Sequence, residues 1–218
     1  MNILALSTAE PGCSLAVFHQ GQLVYEAFWQ SRLTHSRRLL SMITAVVPDR
    51  AGFALAQMDG FVAARGPGSF TGLRIGISTV MGLAFATSRP AAGASSLDGI
   101  GFRFAHAGVP VCAMMDARRS QVYCAVYCFD KGQLVHKSPE KVCSPEQAIS
   151  LARSPDALFA GSGARAYQDM ILEQTRGQAC LAHPDMDHIS AAAMARPALF
   201  SFDFFASSEN TLTPVYIR

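Results

Sequence analysis

The sequence predicts a mixed α/β protein built from two similar halves, and three observations carry that prediction. Short apolar runs and stretches of helical spacing follow one another in the order strand, strand, strand, helix, strand, helix through the first half. The second half opens the same way, with a strand, a turn, a strand and a hairpin. The residues after the two hairpin turns are identical, Gly21-Gln22-Leu23-Val24 and Gly132-Gln133-Leu134-Val135, at the same point of the same strand order. A match so placed reads as a duplicated unit. The expected domains are 1–107 and 108–218, two similar lobes around a cleft of the kind in which ligands often bind. The final helix is free to pack back on the first lobe.

Each element has its own signal. Ile3–Ser7 is a short apolar run, as a central strand requires. Glu10-Pro11-Gly12 turns the chain into a strand at Ser14–Phe18, and Gln20-Gly21 turns it again into Leu23–Trp29. Leu39, Leu40, Ile43, Val46 and Val47 recur at helical spacing, which predicts a helix over Thr34–Val47 ended by Pro48 and Gly52. A strand from Phe61 to Ala64 leads through Gly66-Pro67-Gly68-Ser69-Phe70-Thr71-Gly72 into an apolar helix closed by Ser88-Arg89-Pro90. In the second half, strands are expected at Val109–Met115 and Gln121–Phe129, with Asp116-Ala117-Arg118 as the turn between them. Ser144-Pro145-Glu146 starts a helix reaching about Ala152, with Ser as cap and Pro in the first turn. Ala157–Ala160 is a strand, Ala164–Gln174 a helix and Gly177–Leu181 a strand. Ser190 caps a helix over Ala191–Arg196 that Pro197 disturbs, and Thr213–Arg218 is extended.

Composition narrows the function. The chain has 218 residues, half of them hydrophobic, and a formal net charge of +2. That is enough for a real core and implies no broad basic surface, so direct nucleic-acid binding by this chain alone is not supported. The six cysteines form no C-x-x-C pair and no zinc spacing with histidine. Cys124 and Cys128 share one face of a strand, as buried thiols of a reducing cytosol do. The N-terminus carries no basic region followed by a long apolar run, so no signal peptide is expected.

The glycine loop invites a phosphate-binding reading, because a loop entering a helix points free N–H groups outward. Its spacing fits neither common phosphate loop. Position 71 is Thr where both patterns need Gly, and no Lys follows Gly72. The spacing instead reads as a structural turn that packs helix against sheet. In the helix itself, the polar side chains between Leu73 and Ala86 are Arg74, Ser78 and Thr79. An ordinary surface helix has a wide polar face, and a membrane span needs about 20 apolar residues. A partner chain is therefore the expected cover. Leu73, Ile77, Val80 and Ala84 form an apolar stripe suited to the sheet. Arg74, Ser78, Met81 and Phe85 form a mixed stripe suited to a partner. Gly72 and Gly76 would let another backbone come close.

With these residues in view, the chain resembles the bacterial TsaB family, also called YeaZ. The resemblance rests on Asn2–Thr8, Thr34–Leu40, Gly66–Gly76, Met115–Arg118 and Pro214–Arg218; the Gly66–Gly76 run is the most specific. It implies the duplicated actin-like ATPase (ribonuclease-H-like) fold. It also implies a part in making threonylcarbamoyladenosine, the modified base beside the anticodon of tRNAs that read codons starting with adenine. The family member is there a cytoplasmic partner subunit. A TsaD-like paralogue carries the transferase site, a TsaE-like ATPase joins them, tRNA is met through the complex, and no membrane is involved. Alone, the chain is expected to pair with itself through the two helices, whose interface residues would be His35, Leu39, Gly72, Arg74, Gly76, Ser78, Met81 and Phe85.

Carried over residue by residue, the resemblance implies a non-catalytic chain. The paralogue's metal-binding H-x-x-x-H begins here at His35, but Leu39 stands at the second position. Ser7 stands where many actin-like ATPases end the first strand in Asp, and Asp116 holds the similar place in the second half. No metal site and no cofactor of its own is expected. Ser7, Gly66, Gly68 and Asp116 are the weak candidates for nucleotide contact, and ATP or ADP would sit at an interface of the complex. Two alternatives stand beside this reading. A small-molecule kinase of the same fold would need acidic residues at the cleft. A metal-free peptidase-like relic would need a nucleophile with a base, and His35, His106, His136, His183 and His188 show no such spacing.

Overall fold

A computed structural model describes residues 1–30, 39–40, 43–44, 52, 54–200, 205–206 and 211–217. The chain forms two compact units. The first joins Met1–Ser96 to Ser190–Val215, and the second spans Leu97–Ile189 with the last residues from Tyr216. The division falls at Ser96, ahead of the Ala107 boundary expected from the sequence.

In the first unit, β1 (Ile3–Ser7), β2 (Gly12–His19) and β3 (Gln22–Gln30) are antiparallel neighbours. β4 (Gly60–Gly66) and β5 (Ala91–Ser95) continue the sheet in parallel, giving the order β3-β2-β1-β4-β5. Between them runs α1, Phe70–Thr87. The core joins Leu4, Leu6, Leu15, Val17, Phe61 and Ala63 of the strands to Ile77, Val80 and Leu83 of α1. Of the helix expected over Thr34–Val47, residues 39, 40, 43 and 44 are described and all are helical. Leu39 and Ile43 lie in that core; His35 and Pro48 lie outside the described residues.

The second unit begins with α2 (Asp98–Gly101), which packs against β6 (Val111–Arg118). Gly101 meets the ring of Tyr127 on β7 (Gln121–Asp130). These contacts tie the segment after Ser96 to the second unit. β8 (Gln133–Lys137) and β9 (Lys141–Cys143) both pair with β7. Next come α3 (Pro145–Leu151), β10 (Leu158–Ala160), α4 (Ser162–Ala166), α5 (Gln168–Gln174) and β11 (Cys180–Leu181). The strand path β11-β10-β6-β7-β8 repeats the order of the first sheet, antiparallel and parallel pairs included.

The duplication reaches down to the hairpins. Gln20 and Gly21 have φ of 50° and 78°, and Lys131 and Gly132 have 49° and 81°, the two left-handed residues of a type I′ turn. Both hairpins shift register after two pairs from the turn, at Val17/Phe18 and at Cys128/Phe129. The repeated Gly-Gln-Leu-Val thus falls in the same register twice. Leu23, Val24, Leu134 and Val135 are all exposed, so hairpin geometry and not core packing is what the repeat shares.

The last helix, α6 (Ala191–Phe200), returns to the first unit and packs on β1 and β2. Its N-terminal N–H groups are satisfied from the strands. Ser14 Oγ accepts from Ala191 N at 2.9 Å, and Glu26 Oε1 accepts from Ala192 N at 3.2 Å and from Ser190 Oγ at 2.6 Å. Ser190 caps the helix by accepting from Ala193 N at 2.9 Å. So anchored, α6 runs through Pro197, contrary to expectation; the proline removes one interior donor.

Three further elements differ from expectation. β5 is a strand of small residues, Ala-Ala-Gly-Ala-Ser, with no β-branched or aromatic signal. β6 continues through Asp116-Ala117-Arg118, and the turn follows it, with Arg118, Arg119 and Ser120 all at positive φ. The helix expected over Ala164–Gln174 is broken at Tyr167 into α4 and α5.

Candidate functional site

The glycine loop closes on its own chain. β4 runs parallel to β1, so the loop after Gly66 meets the end of β1 at Ser7, Thr8 and Ala9. Gly66 and Gly68 hold φ of 128° and 151°, where a side chain is strained. A Cβ at Gly66 would overlap the Val215 carbonyl, and one at Gly68 would lie 2.8 Å from the Ala9 Cβ. Ser69 N–H donates to the Ala9 carbonyl at 2.7 Å. Ser69 Oγ caps α1 by accepting from Gly72 N at 3.2 Å, and Thr8 Oγ1 donates to the Gly72 carbonyl at 2.7 Å. The amides of Ser69 and Gly72 are thereby engaged within the chain. Ser7 is buried, and its Oγ lies 3.5 Å from Ala9 N.

The second unit repeats the device. Asp116 N–H donates to Ser162 Oγ at 3.0 Å, and glycines at 161 and 163 admit the backbone of Met114 and Met115. The Asp116 carboxylate turns onto its own hairpin, accepting from Arg118 N at 2.8 Å.

Helix α1 sorts its residues into two faces. Leu73, Ile77, Val80 and Ala84 are buried, while Arg74, Ser78, Met81 and Phe85 are exposed, Phe85 to 88% of its surface. The helix is long and apolar enough by composition to cross a membrane, and longer than its sequence boundaries suggested. Its inner stripe nevertheless lies in the core against the sheet. Phe70, also half exposed, was not singled out by the sequence; it lies one turn before Arg74 and carries that guanidinium 3.9 Å above its ring. Phe70, Thr71, Arg74, Ile75, Ser78 and Thr79 line a shallow groove there.

Three expected interface residues point the other way. Gly72 and Gly76 are buried and face Thr8: a Cβ would overlap its carbonyl oxygen at the first and its Oγ1 at the second. The close approach they permit is made by this chain's own Thr8, the residue after β1. Leu39, at 2% exposure, belongs to the core. His35 lies outside the described residues, and among those described no group of three or more His, Cys, Asp or Glu side chains is placed to hold a metal ion.

Two sheets of one strand order, each with helices set by a glycine turn at the end of its first strand, define the duplicated actin-like ATPase class. The comparisons with known proteins narrow this. Residues 30–199 match the family model described as TsaD, tRNA N6-adenosine threonylcarbamoyltransferase. The tRNA threonylcarbamoyladenosine biosynthesis protein TsaB of Haemophilus influenzae is 33% identical over 188 residues, covering 81% of this chain and 78% of that protein. TsaB of Escherichia coli is 33% identical over 175 residues, covering 78% and 75%. Among solved structures, YeaZ from Pseudomonas aeruginosa superposes with a TM-score of 0.78 at 31% identity over 99% of both chains. Component A of (R)-2-hydroxyglutaryl-CoA dehydratase from Acidaminococcus fermentans, with a TM-score of 0.54 and 12% identity over 95% of this chain and 100% of that one, shares the fold. The chain belongs to the TsaB (YeaZ) family.

Proposed function

We propose that this chain is a non-catalytic partner subunit in tRNA threonylcarbamoyladenosine biosynthesis. It would bind and support a TsaD-type transferase that modifies the adenosine beside the anticodon in tRNAs reading codons that begin with adenine. The observation that carries the reading is the outer face of α1. Met81 and Phe85 stand exposed on a helix whose other face is fully committed to the core. Large apolar groups so presented mark an interaction surface. The chemistry at the ends of the first strands is consistent with this role. Ser7 brings no charge, and Asp116 is occupied by its own hairpin. In this reading a TsaE-like ATPase completes the assembly, ATP or ADP sits at an interface of the complex, tRNA is reached through the complex, and the chain works in the cytoplasm. Free of its partner it pairs with itself.

Burying one large apolar side chain contributes roughly 1.5–3 kcal/mol. Met81→Asp and Phe85→Asp should therefore weaken binding to the same organism's TsaD-type protein at least tenfold, measured by pull-down and sedimentation, with the free chain still folded. Depletion of the chain should lower threonylcarbamoyladenosine in tRNA. Wild-type binding by both variants would remove the assigned face, and normal modified base after complete loss would remove the pathway. Turnover of ATP by the isolated chain at about 1 per second or more, abolished by Asp116→Asn, would favour a kinase instead.

A further inference from the structure

The outer face of α1 is apolar but not neutral. Within Phe70–Thr87 the sole charged residue is Arg74. It is exposed, and its guanidinium is stacked on Phe70 at the mouth of the shallow groove. Among the described residues it has no carboxylate partner. Stacking on an aromatic ring holds a guanidinium in place while leaving its edge donors free. In sequence, the Thr34–Val47 segment holds His35, Arg37 and Arg38 and no Asp or Glu. A cation on an apolar surface is costly to cover unless the cover supplies an anion.

Resting on the partner-subunit reading, we infer that the α1 face selects a partner whose apolar helical surface presents an Asp or Glu carboxylate to Arg74, and that it favours that partner over the self-pairing open to the free chain. The reason is symmetry. A two-fold pairing brings the same patch of both copies together, so two Arg74 guanidinium groups would share one interface with no α1 carboxylate to meet either. A carboxylate accepts two parallel N–H bonds from a guanidinium held this way, and like charges at an interface act as a filter against the wrong partner. Met81 and Phe85 supply adhesion that either partner could use; Arg74 supplies the discrimination.

The test compares wild type, Arg74→Gln and Phe85→Asp, each against the organism's TsaD-type protein and against itself, at low salt and at roughly 0.5 M salt, where screening is strong. Arg74→Gln should weaken binding to the TsaD-type protein about three- to tenfold at low salt and flatten its salt dependence. Self-association should move the opposite way: stronger in Arg74→Gln than in wild type at low salt, and in wild type strengthened by salt. Arg74→Glu should bind a TsaD-type protein in which one interface carboxylate is changed to Lys better than it binds the unchanged protein. If Phe85→Asp weakens binding and Arg74→Gln does not, the charge selection is wrong and the partner-subunit reading stands. If neither variant changes binding, the reading fails with it. If Arg74→Gln weakens self-association, the symmetry argument is wrong.

Discussion

Three glycines on one helix should respond to alanine in three different ways. Gly82 is exposed, and a Cβ there meets nothing within 4 Å. Alanine should stabilise by about 0.5–1 kcal/mol, the difference in helix propensity. At Gly76 the same gain applies, but the new Cβ overlaps Thr8 Oγ1, which donates to the Gly72 carbonyl. That hydroxyl must turn away, losing a hydrogen bond of about 0.5–1.5 kcal/mol, so Gly76→Ala should fall between neutral and slightly destabilising. At Gly72 the Cβ overlaps the Thr8 carbonyl oxygen, which is main chain at the end of β1. No rotamer relieves this, and Gly72→Ala should cost about 1–3 kcal/mol. Thr8→Ala supplies the control. It removes the side-chain obstacle at Gly76 and leaves the backbone obstacle at Gly72, so it should rescue only the first in a double-mutant cycle. Urea unfolding followed by Trp29, the chain's single tryptophan, reports on the first unit. Equal midpoints for Gly72→Ala and Gly82→Ala, or equal rescue of both inner variants by Thr8→Ala, would refute the reasoning.

Two more outcomes follow from polar contacts away from the helix. Asn2 Nδ2 donates to the Gln57 carbonyl at 2.9 Å and its Oδ1 accepts from Gln20 N at 3.0 Å, joining the first hairpin to the approach to β4; Asn2→Ala should cost about 1–2 kcal/mol, read by the same unfolding curve, with Asn2→Asp intermediate. In the second unit, Lys137 Nζ reaches Asp98 Oδ1 and Glu140 Oε1, both at 2.7 Å, and Tyr127 Oη donates to Asp98 at 2.8 Å. Burial pushes the Tyr127 hydroxyl well above its ordinary 10.0, and the two carboxylates hold Lys137 charged above its ordinary 10.5 despite an opposing desolvation. Both groups keep protons in the folded state that the unfolded chain gives up. The contribution of these two groups should therefore be intact below about pH 10 and fall as pH rises beyond it; Lys137→Met should shrink that alkaline fall, and an unchanged slope would rule the cluster out as its source.

Several features were legible in the sequence because their causes are local. The hairpin turns needed left-handed residues, and Gly21 and Gly132 supplied them. The start of α3 was signalled by Ser144, whose Oγ accepts from Gln147 N while Gln147 Oε1 accepts from Ser144 N. The inner stripe of α1 followed from spacing alone, since residues three and four apart share a face whatever they pack against. What the sequence could not decide was which distant residue would stand beside each of these. Gly72 and Gly76 read equally well as openings for a partner's backbone; only the parallel pairing of β1 with β4 puts Thr8 against them. β5 has no strand signal, because its neighbours require small residues: a Cβ at Gly93 would lie 2.8 Å from the Arg65 side chain and 2.9 Å from the Thr211 carbonyl. Glu26 carries no local signal of its partner, because the chain returns only far later in sequence to place the start of α6 on it. Local pattern determined most of the elements and, for α1, which face turns inward. Tertiary structure decided what meets that face, because such contacts join residues whose separation along the chain leaves no periodic trace.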